Sequence, residues 1–129
     1  EGKVSADIRR QGDSGSATDR SMVPAQKVMG SWYDGGPYCV HIAPAQEVNR
    51  LIMRLWYCDV GIENSASKSL IMQNGRWVDA EHDVSIAPVS DNEIRVEVNG
   101  RFRDEIGNEY SSEAVTKPQF MRSEVDFGH

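Results

Sequence analysis

No stretch of this chain approaches the roughly 20 consecutive apolar residues that a membrane-spanning helix needs. Its apolar runs, such as Leu51-Ile52-Met53 and Leu70-Ile71-Met72, are far shorter. A basic block is missing too: 14 Lys and Arg face 20 Asp and Glu, for a net charge of −6. Without clustered positive charge there is no electrostatic footprint for nucleic acid or an anionic membrane surface, and both are excluded as partners. Cysteine is scarce. Cys39 and Cys58 form no CxxC pair and have no zinc-finger spacing with histidine. An even count favours one Cys39–Cys58 disulfide in an oxidising compartment, with two buried free thiols as the alternative. Glycine-rich phosphate loops of either nucleotide-binding kind are absent, so no cofactor is implied.

What remains is 129 residues, about one domain, long enough to bury roughly 60 to 70% of its unfolded surface. Residues 1–21 are rich in Ser, Gly, Asp and Arg, with Val4 and Ile8 as the large aliphatic residues. They read as an N-terminal tail, flexible or ordered by a partner. The chain opens on Glu1 with no initiator Met, which leaves room for a removed signal peptide upstream. A β domain is expected over 22–118, and 119–129 reads as a C-terminal extension.

Within the domain, two short strands around Trp32 and over Tyr38–Ile42 fit on either side of Asp34-Gly35-Gly36-Pro37. Residues 44–57 carry two patterns at once. Val48, Leu51, Ile52 and Leu55 sit at helical spacing behind Pro44, so a helix near 44–57 is the preferred reading. Alternation of Leu51, Met53, Leu55 and Tyr57 gives a strand as the competitor. Either brings the cysteines near each other, and a hairpin centred between Val48 and Asn49 would set Cys39 opposite Cys58. Asn74-Gly75 predicts a type I′ hairpin that pairs Met72 with Trp77 and Ile71 with Val78. Asn99-Gly100 predicts a second hairpin: a two-residue loop would pair Val96 with Arg103 and Val98 with Arg101, while the preferred three-residue loop, with Gly100 left-handed, pairs Val96 with Phe102 and Glu97 with Arg101. The fold class is therefore mostly β: one antiparallel barrel or sandwich of about 6–8 short strands.

Candidate chemistry is sparse. Gln11-Gly12-Asp13-Ser14-Gly15 resembles the nucleophile strand of chymotrypsin-type proteases, but no histidine precedes Ser14 and the surrounding segment is a Gly/Ser-rich tail. No catalytic residue is assigned. Asp79-Ala80-Glu81-His82-Asp83 offers metal-type ligands, yet strand alternation puts neighbours on opposite faces and it reads as a solvated turn, so no metal is assigned. His41 reads as a packed or edge residue. The aromatic set supplies the candidate binding residues Trp32, Tyr33, Tyr38, Trp56 and Trp77, against a plainer role in core packing.

Gly30-Ser31-Trp32-Tyr33 resembles the Gly-x-Trp-Tyr opening of lipocalins and the wider calycin group. The succession Cys39, Cys58, Trp77 is similar, more loosely, to small bacterial inhibitors of secreted metalloproteases. The resemblance implies a small barrel with a structural Trp32, a protein partner met by the residues before it, and a periplasmic or secreted location. The functional expectation is a non-enzymatic extracytoplasmic binding module for a partner protein; the alternative is a small carrier of an apolar ligand.

Overall fold

The computed structural model describes residues 24–127. Strands follow as β1 (Gly30–Tyr33), β2 (Tyr38–Pro44), β3 (Arg50–Tyr57), β4 (Ala66–Gln73), β5 (Arg76–Asp79), β6 (Val84–Ser90), β7 (Glu93–Val98), β8 (Arg101–Arg103), β9 (Glu109–Ser111) and β10 (Gln119–Arg122). Eight of them close an antiparallel barrel in the order β1-β10-β7-β6-β5-β4-β3-β2, while β8 and β9 pair with each other outside it. Closure gives the barrel strands neighbours on both sides and so protects their backbone edges. Among the described residues no helix is long and apolar enough to cross a membrane. The candidate tail, 1–21, and Ser14 within it lie outside the described residues, as does His129.

Alternation decides what fills the barrel. Leu51, Met53 and Leu55 of β3 point inward with Val40 and Ile42 of β2, and all are at most 2% exposed. Trp32 and Phe120 are completely buried among them. The first hairpin turns where expected: the Asp34 carboxylate accepts the Gly36 and Tyr38 N–H groups at 2.8 and 3.1 Å. The Asn74-Gly75 hairpin has the expected register, Met72 opposite Trp77 and Ile71 opposite Val78, with both turn residues at positive φ.

Four expectations need correction. Residues 50–57 are strand, not helix, because β3 pairs with β2 on one side and β4 on the other. Val48, which began the helical pattern, is 86% exposed in the preceding loop. The alternation was blurred by Trp56, which faces outward yet is buried because Phe127 packs edge-on against it at 5.4 Å. The hairpin register also differs by two: Cys39 stands opposite Trp56, and the disulfide runs diagonally to Cys58 with Cα atoms 5.2 Å apart.

Asn99-Gly100 makes no hairpin between β7 and β8. The free side of β7 is taken by β10, with Phe120 opposite Ile94, and both Asn99 and Gly100 donate their N–H to the Asp83 carbonyl. Gly100 is not at positive φ. Finally, 119–122 belong to the barrel instead of extending beyond it. β10 is the strand that closes the cylinder between β1 and β7, anchored inside by Phe120. Its single large buried side chain after Pro118 left too short a pattern to read as a strand.

Candidate functional site

The two ends of the barrel differ. At one end the β8–β9 ribbon lays Phe102 and Tyr110 over Tyr38 and Tyr57. Phe102 stacks on Tyr110 at 5.6 Å, and Tyr57 lies 5.5 Å from Tyr110 and 5.1 Å from Tyr38. Tyr110 donates its hydroxyl to Asp104 at 2.8 Å, and Tyr38 donates to the Ala114 carbonyl at 3.1 Å. Burial, then the hydrogen bond and charge of Asp104, push the Tyr110 hydroxyl well above its ordinary pKa. Burial and the neighbouring Tyr57 do the same to Tyr38. This end is a packed plug.

The other end is open. A cavity of about 850 Å³ lies there, with Met29, Leu51, Ile71, Met72 and Trp77 as its apolar walls. Local sequence builds each wall. The Asn74-Gly75 turn holds Met72 beside Trp77 at the rim, and β3 begins with Leu51 turned inward. Ala25–Lys27 form a single 3-10 turn that closes Met29 over the opening, and Lys27 ties it to Asp91 at 3.0 Å. Across from it the loop 45–49 is pinned by Ala45 N–H to the Arg50 carbonyl at 3.0 Å, with Asn49 at positive φ and Val48 projecting into solvent. Two methionines give such a cavity walls that adapt to shape.

The five candidate binding residues do not converge. Trp77 lines the open cavity, although it belongs to the core and is only 4% exposed. Trp32 is completely buried, its indole N–H held by the Val28 carbonyl at 2.9 Å and its ring capped by the Arg122 guanidinium at 4.2 Å. Tyr38 sits in the plug at the far end. Tyr33 is 42% exposed on the outer wall beside Met121, and Trp56 lies on the outer wall under Phe127. Cys39 and Cys58 are joined. Met29, Leu51 and Ile71 are not among the candidate binding residues of the sequence. The hairpin register had already set Met72 against Trp77, and that was the available signal.

Two polar clusters also emerge. Lys68 points into the barrel near its plugged end, 2.9 Å from Asp83, 3.5 Å from Asp79 and 3.8 Å from Glu81, with the Phe102 ring 4.9 Å away. Asp79, Glu81 and Asp83 therefore gather instead of alternating, because the chain reverses through His82 at positive φ. Lys68 is the cation at the centre of this acidic group. Burial works against its charge, but the hydrogen bond to Asp83 and the three carboxylates outweigh it and hold its pKa above the usual value.

On the outer wall, Ser31 Oγ lies 2.9 Å from His41 Nδ1 and 3.4 Å from Asp126. A hydroxyl, an imidazole and an acid thus converge, beside a hollow of about 320 Å³. Ser31 is 6% exposed and its oxygen accepts the Phe127 N–H at 2.9 Å, so the hydroxyl serves as a strut for the C-terminal segment.

The fold and site define a class, a disulfide-pinned eight-strand barrel plugged at one end and open at the other. Comparison with protein-family models, curated proteins and solved structures yields no match.

Proposed function

We propose that this chain is a non-enzymatic binding module of an oxidising, extracytoplasmic compartment that grips a partner protein at the open end of its barrel. The observation that carries the reading is the apolar cavity at Trp77, Met72 and Met29, set beside the exposed Val48 loop. Apolar walls with a rim of Gln26, Gln46 and Asn49 suit a partner's apolar side chain held by polar contacts around it. Pro24, the first described residue, is itself a wall residue, and the residues joined to it are assigned to the same partner as part of this proposal. A Cys39–Cys58 disulfide fits a periplasmic or secreted location. Kinship with calycin barrels belongs to the same proposal, supported by Gly30-Ser31-Trp32 as the first barrel strand and by the burial of Trp32.

Photo-crosslinking tests it. A benzophenone amino acid replacing Val48 forms a specific adduct with a protein of the source cell's envelope fraction, and deleting residues 1–21 removes the adduct without unfolding the barrel. The same probe replacing Ile106, exposed in the β8–β9 loop, gives none. Adducts from position 106 alone, or equal adducts after the deletion, reject the reading.

One observation favours a second reading, a carrier of a small apolar ligand. The cavity volume of about 850 Å³ falls within the range of about 300–1,000 Å³ typical of small-molecule sites.

A further inference from the structure

After β10 the chain does not leave the barrel. Ser123 donates its N–H to the Ser31 carbonyl at 2.8 Å and Phe127 donates its own to Ser31 Oγ at 2.9 Å. The Phe127 ring then meets Trp56 edge-on at 5.4 Å. Ser31 lies on β1 and Trp56 on β3, with β2 between them. In register, Ser31 faces His41 and Cys39 faces Trp56. A segment pinned at Ser31 and Trp56 must therefore cross β2 at His41 and Cys39.

Cys39 is 4% exposed although the inward positions of β2 are Tyr38, Val40 and Ile42. It therefore lies on the outer face, opposite Trp56, where the segment crosses. Within the segment Glu124, Val125 and Asp126 are exposed, Val125 by 64%. Low burial along a segment is what allows it to open while the rest stays folded.

We propose that residues 123–127 are a latch over the Cys39–Cys58 disulfide, and that its opening, with the barrel intact, sets how fast a dithiol reaches the Cys39 sulfur. The chemistry is ordinary exchange. A dithiol's thiolate attacks Cys39 Sγ and expels Cys58 as a thiolate. The second thiol of the reductant then attacks the mixed disulfide, releases Cys39 and closes its own ring. Two electrons pass to the protein, and the reductant's two protons end on the cysteines. A closed latch blocks the approach to Cys39. This inference stands apart from the partner reading and holds or fails without it.

The test uses the full oxidised chain and dithiothreitol without denaturant, with released thiols trapped by a mass tag and counted over time. Phe127→Ala is expected to speed reduction about tenfold or more, the factor that 1.4 kcal/mol of lost closure gives, while the urea midpoint stays in place. Phe127→Tyr keeps the wild-type rate. Hydrogen exchange on the unaltered protein gives an independent reading: the Ser123 and Phe127 amides exchange together and faster than those of β2 and β3. Equal reduction rates in wild type and Phe127→Ala, a faster rate that merely follows a fallen urea midpoint, or Ser123 and Phe127 amides as protected as the core each overturn the proposal.

Discussion

Lys68 and Asp79 form an ion pair inside the barrel, Nζ to Oδ2 at 3.5 Å, with Asp79 only 2% exposed. The same carboxylate accepts the Val84 N–H through its other oxygen at 2.8 Å, so it fixes the start of β6 while Lys68 balances its charge. Asp83, also on Lys68, carries the carbonyl that receives Asn99 and Gly100. One ammonium thus ties β4, the β5–β6 turn and the exit of β7 together.

Removing it strands the acids. Lys68→Met is expected to cost about 3 kcal/mol, because breaking one partner of a buried pair leaves an uncompensated charge. Arg76→Met breaks a pair whose side chains are 46% and 29% exposed and is expected to cost under about 1 kcal/mol. Urea unfolding of the two variants checks the contrast, and similar losses would remove the special standing of Lys68.

Alkaline pH attacks the same end. Tyr38, Tyr110 and Lys68 all have folded-state pKa values above their ordinary ones, the tyrosines chiefly through burial and Lys68 through its carboxylates despite burial. A raised folded pKa means the fold holds its proton longer than the unfolded chain does. The stability so gained is complete below about pH 10, the ordinary range of these groups, and drains away as pH rises through the folded values. The urea midpoint is therefore expected to fall from pH 10 upward. Tyr110→Phe should flatten that fall, while costing about 1–2 kcal/mol at neutral pH because Asp104 loses a buried donor. An unchanged alkaline slope in that variant would show that Tyr110 is not the group responsible.

Short-range signals were legible in the sequence and long-range ones were not. Asn74-Gly75 fixed its own register, and the Asp34–Pro37 turn lay where its residues placed it. Residues 50–57 misled because a cover from 71 positions away, Phe127 on Trp56, buries a side chain on the outer face. Asn99-Gly100 misled because β10, drawn from the far end of the chain, takes the edge of β7 that a hairpin needed. The open cavity is assembled from the segment before β1, the β2–β3 loop and residues of β3, β4 and β5, and only its Met72–Trp77 edge is local.

Two glycines separate these cases experimentally. Gly75 has φ of 80°, so Gly75→Ala is expected to cost about 1–2 kcal/mol of left-handed strain. Gly100 has no such φ, but a Cβ there would lie 1.7 Å from Asp83 Oδ1. Asp83 is held by Lys68, so Gly100→Ala is expected to cost about 2–3 kcal/mol, the upper part of the overpacking range. In Lys68→Met the Asp83 side chain is released, and the added cost of Gly100→Ala should shrink. A double-mutant cycle measures this directly, and full additivity would mean that the close approach is relieved without Lys68.

Trp77 gives the open end its optical reporter. Trp32 is sealed in the core and Trp56 lies under Phe127, so an apolar dye entering the cavity meets one tryptophan of the three. An anilinonaphthalene sulfonate at micromolar concentration is expected to quench tryptophan emission, with most of the quench lost in Trp77→Phe and kept in Trp56→Phe. Met72→Asp, which puts a charge against the cavity wall, should weaken dye binding by about tenfold, in line with the cost of about 1–3 kcal/mol for burying a polar group without a partner. If the quench survives Trp77→Phe, the dye sits elsewhere and the cavity is not the apolar site. If binding is abolished by Met72→Asp and the crosslink from position 48 survives it, the ligand and the partner use different parts of the rim.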